Sequence, residues 1–286
     1  MKTINDTLGD ALTAFRKKEL DDVVVQDGII VLQLNGLEFD RLYHEQYSID
    51  GDATLGNSRP HVDLSLAGTA GELVHRFKAV VAYAGMSSIS LVLEPSPKNG
   101  VPPSYFELAM EVASVAGFHY GARLAIMARL TLDDKLMVPV RFQGDVFTFP
   151  DRELASRFVE WRQILNHREV TRTLGRRFGV HNDITMKPLA QRRAILEAKG
   201  ADFEGPLGDT LQGQLVRRQI ITRPLTDEEI ARMPKKSNKS SQVSRAAYLP
   251  DARIPNLSLV GNLSSVLFEG AEPEINDLPL ARAVAC

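Results

Sequence analysis

Apolar positions recur at two periods along this chain, and most changes of period are marked by a cap or a turn. Between Asn5 and Glu19 the residues Leu8, Leu12 and Phe15 fall at helical intervals, which predicts a short amphipathic helix. Three apolar runs follow, Val23 to Val25, Ile29 to Leu34 and Leu37 to Phe39. They are separated by Asp27-Gly28 and Asn35-Gly36, dipeptides that supply the positive φ angles of tight hairpins. The pattern predicts a three-stranded antiparallel meander. The Gly-, Asp-, Asn- and Ser-rich stretch Ser48 to Pro60 reads as a loop.

From His61 onward strands alternate with helices. His61 to Leu66 reads as a strand, and Thr69-x-x-Glu72 has the form of a capping box opening a helix through Leu73, Phe77, Val80, Val81 and Ala84. Strand Ile89 to Leu93 runs into the Pro-rich loop Glu94 to Pro103. A second box, Ser104-x-x-Glu107, opens a helix from Tyr105 to Leu130 that is apolar nearly all round and so is expected at the centre of the core. Leu136 to Phe142 and Asp145 to Phe149 form a hairpin over Gln143-Gly144, and Asp151 caps a helix reaching Phe178.

This order mixes hairpins with crossovers. It predicts an α+β class: an antiparallel or mixed sheet with helices packed on it, spanning 1–180, followed by a loop-rich C-terminal extension. The extension divides into a short helical segment at 181–234, a basic linker at 235–245 and an extended arm at 246–286. Pro188 to Lys199, closed by Gly200, and a box at Thr226-x-x-Glu229 supply its helices. The arm is interrupted by Pro250, Pro255, Pro273 and Pro279, yet carries Tyr248, Leu249, Ile254, Leu257, Leu259, Leu263, Val266 and Phe268. That apolar surface needs a partner, either its own domain or a neighbouring subunit.

Composition narrows the function classes. A 44% hydrophobic and 24% charged chain can bury a core, and a net charge of −2 provides no global field toward nucleic acid or membrane. The single cysteine, Cys286, excludes an internal disulfide and a cysteine-based zinc ribbon. Met1 to Leu20 contains Asp6, Asp10, Arg16, Lys17, Lys18 and Glu19 and so lacks a signal-peptide core, and no apolar run reaches bilayer length. A cytoplasmic location without membrane contact is expected.

Local charge is more telling. Between Arg152 and Arg193 there are nine Arg and one Lys against four acidic residues, with Arg168, Arg172 and Arg176 at i, i+4 and i+8 beside Arg177. With Lys235, Lys236 and Lys239 they form a candidate nucleic-acid contact. The plainer reading has the Arg stems covering apolar surface and pairing with Glu160 and Glu169, while Leu154, Phe158, Trp161, Leu165 and Leu174 dock the opposite face. His61 and Asp63 on a strand would share a face, as an acid–base pair or part of a metal site would require, with His75, His119 and His44-Glu45 as remoter candidates. Structural histidines are the plainer reading.

Nucleophile-elbow, Walker and dinucleotide glycine motifs are missing, so no cofactor and no metal are expected. Pro150-Asp151 and Glu197-Ala198-Lys199 mimic a nuclease signature, but the second ends a predicted helix rather than lying on a strand.

Three functions remain. The leading one is an oligomer-forming assembly protein, in character an accessory protein of a phage or plasmid, whose arm docks on another copy or another protein. The second is a nucleic-acid-binding protein using the Arg helix 152–177 and the Lys linker. The third is an enzyme with a site around His61 and Asp63.

Overall fold

The computed structural model describes residues 4–19, 22, 28–37, 39, 59–94, 104–131, 139–204, 206–232, 242–251 and 254–276. In chain order these form α1 (Ile4–Thr13), β1 (Ile29–Leu37), α2 (Arg59–Phe77), β2 (Val81–Ala84), β3 (Ser88–Leu93), α3 (Tyr105–Thr131), β4 (Arg141–Phe149) and α4 (Arg152–Arg177). There follow α5 (His181–Ile184), α6 (Leu189–Ala198), α7 (Pro206–Gln212), β5 (Gln214–Pro224), α8 (Asp227–Arg232), β6 (Gln242–Pro250), a 3₁₀ turn (Leu257–Leu259) and α9 (Leu263–Glu269).

The strands make one sheet in the order β4-β1-β3-β2-β5-β6, with every neighbouring pair antiparallel. The α+β class with an antiparallel sheet and packed helices is therefore as expected. Helices cover both faces. Ile30, Leu32, Leu34, Ile89 and Leu91 pack against α2 and α3, and Ile29, Val31, Val92, Phe147 and Phe149 pack against α1, α4 and the C-terminal segment. Burial on both faces is why β1 opens on a continuous apolar run rather than an alternating one.

The capping signals at Ser104, Asp151 and Thr226 hold. Glu107 N donates to Ser104 Oγ at 3.2 Å, Leu154 N to Asp151 Oδ1 at 2.8 Å, and Glu229 N to Thr226 Oγ1 at 3.3 Å. The expected turns do not. β1 runs straight through Asn35-Gly36 and β4 through Gln143-Gly144, and the two dipeptides lie opposite each other, Asn35 beside Gln143 and Gly36 beside Phe142. Close approach explains these glycines: a Cβ on Gly36 would lie 2.2 Å from the Phe39 ring, and one on Gly144 3.2 Å from the carbonyl oxygen of Ala109 on α3. The meander is thus replaced by pairings of β1 with β3 and β4, both distant in sequence.

Residues 61–66 are helix, not strand. The Thr69 hydroxyl lies mid-helix and donates to the Ser65 carbonyl at 2.7 Å instead of capping. The helix stops at Phe77, and the β-formers Val81 and Tyr83 enter β2, which forms a hairpin with β3. α3 forms as predicted, but only one face meets the core; Phe106, Met110, Phe118, Ile126 and Leu130 are exposed.

The sheet continues past residue 180, because β5 pairs with β2 and β6 with β5. Residues 242–245 of the expected linker belong to β6, while Lys235, Lys236 and Lys239 lie outside the described residues, as do Val23 to Val25 and the loop 95–103.

The C-terminal arm packs on its own chain. Ile254, Leu257, Leu263 and Val266 are buried in the cluster that holds Phe158 and Val159, worth about 1.5–3 kcal/mol per fully buried side chain. Phe268 is half-buried, with the Arg152 guanidinium 5.1 Å from its ring centroid, and Leu259 is also half-buried. Tyr248 packs against α2, 4.8 Å from the His75 ring, and Leu249 is exposed on the outermost strand, β6. The expectation of an arm seated on another subunit is corrected accordingly. No helix among the described residues is long and apolar enough to cross a membrane.

Candidate functional site

On the α4 face of the sheet, three neighbouring strands change from apolar to polar in the same direction. β1 presents Ile29 and Val31, then Gln33 and Asn35. β3 presents Val92, then Ser90 and Ser88. β4 presents Phe149 and Phe147, then Asp145. The register sets the polar members side by side, with Gln33 between Ser90 and Asp145, and Asn35 between Ser88 and Gln143. Ser90 Oγ donates to Gln33 Oε1 at 2.5 Å, and Asn35 Nδ2 reaches Asp145 Oδ2 at 3.4 Å.

Over this polar band lies a cleft of about 600 Å³, lined by Thr13, Arg16, Lys17, Lys18, Gln33, Asn35, Asp145, Val146, Phe147, Trp161 and Arg162. Its cations come from two elements. After α1 the chain runs along the edge of β4, with Thr148 N donating to Phe15 O at 3.1 Å and Lys17 N to Val146 O at 2.8 Å, which brings Arg16, Lys17 and Lys18 to the rim. Arg16 pairs with Asp145, and Lys17 Nζ stands 5.0 Å from the Tyr105 ring centroid.

Arg162 reaches in from α4. Its Nη2 donates to Ser88 Oγ at 3.1 Å, its Cζ lies 5.7 Å from the Trp161 ring centroid, and its Nε is buried without a hydrogen-bond partner. Burial pulls this guanidinium below its ordinary pKa, against the attraction of Glu169, Tyr83 and Asp145. Trp161, the only tryptophan of the chain, is half-buried and packs edge-on against Phe158, with ring centroids 5.5 Å apart. α1 passes it closely at Gly9, where a Cβ would sit 2.9 Å from Trp161 Nε1.

Buried amides hold α4 in place. Asn166 Oδ1 accepts from Met86 N at 2.6 Å, and its Nδ2 donates to Thr210 O and Leu211 O at 2.8 and 2.9 Å. Gln163 Nε2 donates to Gln212 O and Pro255 O, and its Oε1 accepts from Leu257 N at 2.7 Å. His167 bonds Gln212 Oε1 at 3.2 Å, and burial pushes its pKa down to about 4, so it is neutral at pH 7.

A second cleft of about 470 Å³ opens one to two turns further along α4, lined by Leu165, Arg168, Glu169, Arg172, His181, Ile184, Thr185 and Arg192. Arg192 is fixed by its Nε to Lys187 O and its Nη2 to Thr185 O, both at 2.7 Å; burial, then the like charge of Arg168, lowers its pKa. The His181 Nδ1 is buried there without a hydrogen-bond partner.

The fold has solved counterparts. A bacterial tRNA(His) guanylyltransferase (Thg1)-like protein in complex with ATP is similar at a TM-score of 0.57 and 13% identity, over 93% of this chain and 98% of that chain. The chain shares its fold. A bacterial protein of the same description in complex with GTP is similar at a TM-score of 0.50 and 13% identity, over 90% of this chain and 94% of that chain. No protein-family model matches the sequence, and no curated protein matches it.

The expected assembly protein of a phage or plasmid gives way on two findings: the docking arm is spent within its own chain, and the fold neighbours are guanylyltransferase-like proteins. Arg168 and Arg172 line the second cleft; Arg176 and Arg177 are not among its lining residues. His61 and Asp63 lie on α2, where residues two apart no longer share a face, and their side chains are outside the described ones. His75 packs on Tyr248 and His119 on Phe118, so these two do not converge. The sequence marks Arg16, Lys17 and Lys18 only as helix flank and absence of a signal peptide, Trp161 only as docking face, and Arg162 only as one of the arginines of the basic helix 152–177. The signal that could have found them is the polar turn of the strand pattern at Gln33, Asn35, Ser88, Ser90 and Asp145.

Nucleotidyl transfer generally draws on divalent cations held by carboxylates. The described residues do not fit that requirement. Asp145, the one carboxylate among those lining the first cleft, is engaged by Arg16 and Asn35, and no group of three or more His, Cys, Asp or Glu among the described residues could hold a metal.

Proposed function

We propose that the chain is a nucleotidyltransferase-like protein that binds a nucleoside triphosphate in the Trp161 cleft and the phosphates of an RNA, of the tRNA class, along the Arg168–Arg172–Arg192 cleft. The observation that carries this reading is that Arg16, Lys17, Lys18 and Arg162 line one cleft with Trp161, four cations to one carboxylate among the lining residues described. Phosphate oxygens match guanidinium and ammonium donors, and an indole face stacks a base. The similar proteins were solved with ATP and GTP, and their description names tRNA(His), which supports both halves of the proposal.

The two clefts share α4. Arg162 and Arg168 are six residues apart, about 9 Å along the axis at 1.5 Å per residue, so a nucleotide in one cleft and an RNA strand in the other would be neighbours.

Trp161 makes the test direct. ATP and GTP titrations should change its fluorescence saturably, and calorimetry should give the same Kd. Transfer RNA should bind with a steep salt dependence, and Arg172→Ala should reduce the slope of log K against log salt by about one. A fluorescence and heat signal indifferent to both nucleotides would overturn the nucleotide half of the proposal. Salt-independent RNA binding, or none, would overturn the other half.

A further inference from the structure

Resting on the nucleotide reading above, we infer that this cleft takes the polyphosphate without a divalent cation, the Arg162 guanidinium supplying the positive charge that an ion supplies in a metal-dependent site. Three observations converge on it. First, apart from Asp145, which Arg16 and Asn35 engage, the polar band beneath the cleft is built of amides and hydroxyls. Asn35 and Ser88 are cross-strand partners, Gly36 N bonds the Ser87 carbonyl at 2.8 Å, and the Ser87 hydroxyl donates to Glu169 at 2.5 Å. These neutral groups are poor ligands for a hard divalent cation, which selects carboxylates.

Second, a positive charge already stands over this band. Arg162 is held over Ser88 and flanked by Trp161, with a buried Nε that no protein group accepts. A guanidinium is always charged and presents paired donors that match two phosphoryl oxygens, so it can neutralise and orient a phosphate as a point ion does. An orphaned donor on a buried cation is a group whose partner arrives with a ligand.

Third, the rim adds Arg16, Lys17 and Lys18 against Asp145, leaving the described lining cationic. A free triphosphate carries more negative charge than its magnesium complex, so a cationic cleft favours the free form. A carboxylate-lined site has the opposite preference, because its repulsion of the phosphates must be relieved by the ion.

The experiment is ATP titration of the full chain, read by Trp161 fluorescence and calorimetry, once with excess EDTA and once with excess magnesium. The inference expects EDTA to leave the Kd within about twofold, or to tighten binding. Arg162→Met should weaken binding at least about tenfold in both buffers, while Arg162→Lys, which keeps the charge, should retain part of it. Binding seen only with magnesium would overturn the inference and leave the nucleotide reading standing. Binding in neither buffer would overturn that reading itself, and the inference with it. The wild-type comparison decides even if Arg162→Met fails to fold.

Discussion

The two faces of the sheet are built from the same strands and behave differently. On the α2/α3 face the inward residues stay apolar to the strand ends: Ile30, Leu32 and Leu34 on β1, and Ile89, Leu91 and Leu93 on β3, all buried. On the α4 face the apolar residues give out halfway, and Gln33, Asn35, Ser88, Ser90 and Asp145 take over. The helix above contributes polar groups to the same face. α4 buries Ala155, Phe158 and Val159 with Ser156 and Glu160, then Gln163, Asn166 and His167, before Val170 and Leu174. Apolar burial is non-directional, whereas amide hydrogen bonds fix position, so the second face can hold a cleft open at defined geometry.

The largest expected effects test that contrast with one substitution per face. Leu91→Ala removes a fully buried side chain and should cost about 2–5 kcal/mol. Asn166→Ala removes the partner of the Met86 amide and of the Leu211 carbonyl, whereas Thr210 O keeps Gly213 N at 3.3 Å; at about 1–3 kcal/mol for each of two buried groups it should cost about 2–6 kcal/mol. Chemical denaturation measures both. The variants should then separate: folded Leu91→Ala keeps the nucleotide Kd, whereas Asn166→Ala loosens α4 and weakens binding. Equal Kd values for the two would break the contrast between the faces.

Next in size is a pH effect confined to the α4 face. His167 has its pKa pushed down to about 4 by burial, whereas an unfolded His titrates near 6.5. Between these values the unfolded chain binds a proton that the native chain refuses. Stability is therefore present in full above pH 6.5 and is lost as pH falls through the window toward 4, by about 3 kcal/mol. Urea midpoints at pH 7, 5.5 and 4.5 should fall in that order, and His167→Gln should reduce the decline. A pH-independent midpoint would mean that His167 is solvated.

Much of the fold was legible and the site was not, for related reasons. Caps at Ser104, Asp151 and Thr226 are local, so the sequence states them outright. Asn35-Gly36 and Gln143-Gly144 misled because a glycine tolerated for its turn geometry looks the same as one required by the Phe39 ring or by the backbone of α3. The C-terminal arm announced that it needed a partner, but nothing local says that the partner is α4 of the same chain. The cleft joins residues 13–18, 33–35, 145–147 and 161–162, four segments whose proximity exists only once β1 lies between β3 and β4.

A smaller effect should come from Gly9. Its Cβ would lie 2.9–3.0 Å from the Trp161 ring, so Gly9→Ala must move either α1 or the indole. Overpacking of this kind costs about 1–3 kcal/mol. The informative readout is optical: the emission maximum of Trp161 should shift, and its response to ATP should change, because the cleft wall has moved. An unaltered spectrum would show that α1 does not bear on the indole.

The smallest effect sharpens the comparison from the other side. α3 presents Leu108, Val112, Ala116, Tyr120 and Leu124 to the sheet, and it exposes Phe106, Met110, Phe118, Ile126 and Leu130 on its outer side. Phe118 is 72% exposed, with a ring contact to His119, so truncating it removes little that folding had buried. Phe118→Ser should therefore change stability by no more than about 0.5 kcal/mol, as surface substitutions do. It should leave the ATP response of Trp161 untouched, because Phe118 is exposed on the outer side of α3 and is not among the residues that line the cleft. A loss of stability approaching that of Leu91→Ala would mean that the outer side of α3 is covered in solution, and the α2/α3 face would then no longer be the closed, self-sufficient half of the molecule.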